Sequence, residues 1–227
     1  MKITIKNSWD SVTWKEYEQI EQVFNADIPV DYKTIHLVSI LTGLSIDEIE
    51  NIPITEFNKL LKAIEFLQKE PKTHTHKFEY TVNGREYIFR GKLDEITTAQ
   101  YIDYRTYMAE KEKDVVKLFS CFLIPKGHDY NDGYDIEQVK SDIEDMCWLD
   151  VRAAAFFFKI QLSAFILILK SYLVDQMKEM KATKKQRKEL EAHLNSSVYS
   201  LLYSKSAKSV LPPSKMLWAG PYAKLFM

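Results

Sequence analysis

The sequence predicts a mainly α-helical fold: a multi-helix bundle with a small β-hairpin at about residues 75–90 and an extended C-terminal arm. Three observations lead there. Apolar residues recur at helical spacing through most of the chain, often directly behind a capping residue. Only 6 glycines and 7 prolines interrupt 227 residues. Alternation of apolar and polar residues dominates only one segment of any length, on both sides of an Asn-Gly pair.

Taken in order, the start Met1-Lys2-Ile3-Thr4-Ile5-Lys6 alternates like a short strand, so no secretory leader is expected. Thr13 with Glu16 three residues on forms a capping box for a helix carrying Trp14, Tyr17, Ile20 and Phe24, ending near Asn25. Asp31 to Thr42 follows as a second helix, closed by Gly43, a residue suited to the left-handed conformation of a helix terminus. Ser45 with Glu48 caps a short third helix. Thr55 starts a fourth, with Phe57, Leu60, Leu61, Ile64, Phe66 and Leu67 at helical spacing. His74 to Val82 and Arg85 to Arg90 alternate about Asn83-Gly84, which supplies the two positive φ values of a tight hairpin turn.

Helical spacing resumes over Thr97 to Met108 and over Lys113 to Ile124, where Pro125 stops it; the polar run Lys126 to Asp135 is a loop, and Asp135 begins the next helix. Asp150 can cap a long helix reaching about Met180, and Thr183 with Gln186 a last one to about Ser204. After Ser206, Pro212, Pro213, Gly220 and Pro221 forbid a regular helix, yet the segment is strongly apolar. The organisation is thus an N-terminal helical subdomain (1–71), a hairpin (72–96), a helical bundle (97–205) and a docking arm (206–227).

Composition narrows the function. The net charge of −1 conceals an asymmetry: from Gln176 onward there are 10 Lys/Arg against 3 Asp/Glu, leaving 21 against 29 before it. The last part is near +7 and the body near −8, a division that suits packing between copies or contact with an acidic partner or DNA. The basic cluster is Lys178, Lys181, Lys184, Lys185, Arg187 and Lys188, without the interleaved aromatics of a nucleic-acid reader. Cys121 and Cys147 sit in apolar surroundings without a CxxC spacing, which fits a reducing compartment. The most apolar stretch, Ala153 to Val174, is broken by Lys159, Gln161 and Lys170, too often for a bilayer span.

No catalytic residue, metal site or cofactor is nominated. The loop from Asp129 resembles a calcium loop but fails on register, with Gly133 at the fifth position and Lys140 at the twelfth. His74 and His76, two apart on an expected strand, could face one ion together, but no third ligand has suitable spacing. No phosphate-binding glycine loop, dinucleotide fingerprint, nucleophile elbow or zinc-protease motif occurs. The informative segment is the long helix. Val151, Ala154, Ala155, Phe158 and Leu162 make one stripe, while Phe156, Phe157 and Ile160 nearly fill the other faces. Such a helix is either central to a core or shared with another subunit.

The order of segments resembles a family of tailed-phage proteins often labelled tail-assembly chaperones, from phages and prophages of gut Bacteroidetes. The similar stretches are Trp14 to Phe24, His36 to Ser45 with Asp47-Glu48-Ile49, Leu60 to Leu67, Asn83 to Tyr87, Ile96 to Asp103, and Ala153 to Leu162. The chain also resembles ring-forming tail proteins of crAss-like phages, whose subunits can clasp a neighbour through a terminal extension.

The resemblance implies a non-enzymatic structural component of the virion tail or head-to-tail connector, assembled in the bacterial host cytoplasm. Its partners would be copies of itself and neighbouring tail or portal-region proteins, with non-specific DNA contact possible through the basic cluster and no membrane contact. The alternative is a tail-assembly chaperone absent from the mature particle. The expected interface comprises Leu211, Met216, Leu217, Trp218, Tyr222, Leu225 and Phe226 of the arm, with Phe156, Phe157 and Ile160 of the long helix.

Overall fold

The computed structural model describes residues 3–72, 74–92, 94–110 and 114–158, together with residues 161, 172–173, 188–189 and 192. It is mainly helical with a small three-stranded antiparallel sheet. The helices are α1 (Trp14–Asn25), α2 (Val30–Thr42), α3 (Ile46–Glu50), α4 (Ile54–Ala63), α5 (Thr98–Ala109), α6 (Val115–Ser120), α7 (Ile136–Asp145) and α8 (148–158). A 3₁₀ turn at Ile64–Gln68 continues α4.

Local chemistry sets most helix ends. Thr13 and Ser45 both close reciprocal capping boxes, with Glu16 and Glu48, and Thr97 does the same with Gln100. Gly43 ends α2 at φ 74°, where a side chain would be strained. The Asp135 carboxylate accepts the Glu137 and Gln138 N–H groups at the start of α7. At the other end of α1, the buried Lys33 ammonium donates to the Phe24 carbonyl at 2.9 Å, a cation placed at a helix C-terminus.

The sheet differs from the expected two-stranded hairpin. Strand β1 (Glu79–Val82) pairs with β2 (Arg85–Phe89), and Asn83 and Gly84 turn between them at φ 51° and 75°. Residues 74–78 lie outside the strand. A third strand, β3 (Leu123–Pro125), pairs with β2 so that Phe89 faces Leu123 and Tyr87 faces Pro125. Its residues were expected to end a helix, but α6 closes at Ser120. Leu123 and Ile124 are both fully buried, so pairing with β2 satisfies backbone groups that a frayed helix end would leave without partners. The expected opening strand is not formed either among the described residues: residues 3–7 have no regular structure, and the Lys6 N–H donates to the Leu41 carbonyl at 3.2 Å.

One apolar core runs from the N-terminal helices into the rest of the fold. Trp148 at the start of α8 stacks on Tyr17 of α1, ring centroids 4.2 Å apart and nearly parallel, and meets Trp9 at 5.2 Å. Val12, Leu37, Ile64, Leu123, Ile143 and Val151 have no exposed surface. Backbone hydrogen bonds from Trp14 to Met146 and from Trp148 to Val12 tie α1 to the α7–α8 junction.

Candidate interaction surface

Helix α8 leaves the core with one face buried and another open. Val151, Ala154 and Phe158, spaced three and four apart, are buried; Phe158 packs on Phe122 at 4.1 Å and Tyr104 at 4.9 Å. Phe157 is half-buried, stacked on His76 at 4.3 Å and edge-on to Phe78 at 5.6 Å. Phe156 points away from these contacts with 46% of its surface exposed. Tyr172, also helical, is 59% exposed. The expected start of this helix needs correcting. The Cys147 carbonyl, not Asp150, accepts the first helical N–H groups, those of Asp150 and Val151, and the Asp150 side chain turns instead to His74 and Lys77.

Of the expected interface residues, Phe156 is exposed and Phe157 half-buried. Ile160, Leu211, Met216, Leu217, Trp218, Tyr222, Leu225 and Phe226 lie outside the described residues. So do Lys181, Lys184, Lys185 and Arg187 of the basic cluster, while Lys188 is helical and exposed. No helix among the described residues is long and apolar enough to cross a membrane.

His74 and His76 do not face one ion together. His74 lies between two carboxylates, Nε2 at 2.8 Å from Asp10 and Nδ1 at 3.1 Å from Asp150. His76 enters an aromatic cluster, with Phe78 and Phe89 each 4.7 Å away edge-on and Phe157 stacked. Burial there lowers its pKa to about 4, so the ring is neutral near pH 7. Because an unfolded chain takes up this proton near pH 6.5 and the folded one only near 4, stability falls as pH drops through that window. Denaturant melts at pH 7 and pH 5 test this: His76→Phe is expected to flatten that part of the pH dependence.

A second polar cluster pins the hairpin to α7. Asp142, fully buried, accepts Arg85 Nε at 2.6 Å and Nη2 at 2.7 Å, Asn83 Nδ2 at 2.9 Å, and the Tyr87 hydroxyl. These donors hold the Asp142 carboxyl down at about 2, the Arg85 guanidinium first among them. The turn sequence therefore has two roles, since Asn83 both adopts the turn conformation and reaches α7.

The loop from Asp129, similar in sequence to a calcium loop, is built by turn chemistry. Gly127 and Gly133 take positive φ, the Asp129 N–H donates to Asp132 at 2.6 Å, and Arg90 holds the Asp129 carboxylate at 2.6 Å. An open groove of about 570 Å³ lies between α1 and α2, lined by Gln22, Val23, Ile28, His36, Ile40 and Leu44 among others. Compared with protein-family models, with curated proteins and with solved structures, the chain has no match.

Proposed function

We propose that this chain is a non-enzymatic structural component of a tailed-phage virion, a ring-forming protein of the tail or head-to-tail connector that works by binding copies of itself and its neighbours. The observation that carries the reading is the open face of α8: an aromatic-rich helix, anchored in the core through Val151, Ala154 and Phe158, holds Phe156 out to solvent. The exposed part of one phenylalanine is worth only about 1 kcal/mol on burial. A stable contact needs roughly 800 Å² from each partner, and the eight large apolar residues between Leu211 and Met227 are the part of the sequence able to supply it. The family resemblance supports phage identity, and a head-to-tail contact between an arm and a neighbouring subunit forms a ring where the rotation between subunits closes. The exposed Lys188 and the basic residues around it would meet an acidic partner or passing DNA.

Sedimentation of the full chain tests the contact. Phe156→Glu and deletion of 211–227 are each expected to weaken self-association at least tenfold. Phe156→Glu should also leave monomer stability within about 0.5 kcal/mol, as for other exposed sites. Quantifying the chain in purified particles tests its place: fixed stoichiometry is expected, and a particle without it ends the ring reading. The groove between α1 and α2 favours the second reading, a tail-assembly chaperone, in which that groove holds a tail protein transiently.

A further inference from the structure

We propose that His74, Cys147 and Asp150 form a binding site for one divalent metal ion of the zinc class. His74 lies more than seventy residues from Cys147 and Asp150, which are three apart, yet each of the three offers one donor atom and all three donors lie within 4.8 Å of one another. The set is one imidazole nitrogen, one sulfur and one carboxylate oxygen, which suits a borderline ion such as Zn²⁺ better than calcium or magnesium. His74 Nδ1 and Asp150 Oδ1 are 3.1 Å apart. Two ligands at ordinary zinc distances in a tetrahedron sit about 3.4 Å apart, so this edge is already near its bound length. With every donor pair within 4.8 Å, the sulfur would have to close by at most about 1 Å to reach its bound distance.

The groups around these donors are arranged as the outer layer of a metal site is. Asp10 Oδ1 stands 2.8 Å from His74 Nε2, so that carboxylate would hold the ring through Nε2–H while the ion replaced the proton that Nδ1 shares with Asp150. Lys77 Nζ takes Asp150 Oδ2 at 2.8 Å, leaving Oδ1 for the ion. Cys147 directly precedes α8; burial pushes its thiol up, so a bound ion itself would have to displace the proton and hold the sulfur as a thiolate. All three ligands are half-buried, so the fourth position stays open to water or to a donor from another chain. A bound ion would tie the segment before β1 to the start of α8 and, through Asp10, to the N-terminal 3₁₀ turn at Trp9–Ser11.

The test uses the untagged full chain, stripped with a chelator and titrated with Co²⁺ and then Zn²⁺. One equivalent of Co²⁺ per chain is expected, with a thiolate-to-cobalt charge-transfer band that Zn²⁺ abolishes. Zn²⁺ should raise the melting temperature. Cys147→Ser should remove the band while the circular dichroism spectrum stays unchanged, and His74→Ala should weaken binding at least tenfold. Asp10→Asn, which touches no ligand atom of the ion, should weaken it about tenfold through the ring it orients. Absence of the charge-transfer band in the wild type, or binding that survives both Cys147→Ser and His74→Ala, overturns the proposal.

Discussion

Replacing Trp148 with alanine is expected to destabilise the fold by about 3–5 kcal/mol, the cost of removing a large aromatic side chain from a core that cannot fully collapse behind it. Trp148 is 2% exposed and stacks face to face on Tyr17, with Trp9 against its edge. It therefore joins three chain segments, the N-terminal 3₁₀ turn, α1 and α8. Its indole N–H is buried without a hydrogen-bond partner among the described residues. Trp148→Phe removes that unsatisfied group while keeping a ring, so its cost should be well below that of alanine, about 1–2 kcal/mol. Urea denaturation followed by circular dichroism measures both. Equal losses for alanine and phenylalanine would show that the stacked rings contribute little.

The second large effect is expected at Asp142. Asp142→Ala leaves the Tyr87 hydroxyl and the Arg85 guanidinium without their acceptor, and a loss of about 2–4 kcal/mol follows from breaking a buried, charge-assisted cluster. The pH dependence has a definite sign. The folded carboxyl titrates at about 2, below its ordinary value near 4, so the contribution is full above about pH 4 and is lost as pH falls toward 2. Asp142→Asn keeps the volume but cannot take up a proton as pH falls. Its melting temperature should fall less between pH 4 and pH 2 than that of the wild type, as thermal melts across that range would show. The His76 effect acts higher, between about pH 6.5 and 4, so the two contributions are separable in one pH series.

Much of the helical framework was legible because its signals are local. The pairs Thr13/Glu16 and Ser45/Glu48 satisfy backbone groups within three residues of themselves, and Gly43 relieves strain at a single position. Asn83-Gly84 fixes the hairpin turn in the same way. The errors arise where a distant partner decides. Leu123-Ile124-Pro125 has the composition of a helix ending at proline, and only the open edge of β2 makes it a strand. Asp150 has the chemistry of a cap, yet His74 and Lys77 draw its side chain away. The alternation from His74 to Phe78 gives no strand, because His74 turns to carboxylates while His76 enters an aromatic cluster.

The same division holds for the candidate sites. Linear spacing could flag His74 and His76 as a pair but could not reach Cys147 and Asp150, which lie more than seventy residues on. It marked Phe156 and Phe157 together without telling which would be exposed. By itself, then, the sequence determined the helix-rich class, the cap positions and the hairpin turn, since each rests on interactions closed within a few residues. The third strand, the Asp142 cluster, the open face of α8 and the meeting of His74 with Cys147 and Asp150 were decided only by the tertiary structure. Each depends on groups brought together when one apolar core joins the N-terminal helices to α7 and α8, and that juxtaposition leaves no linear trace.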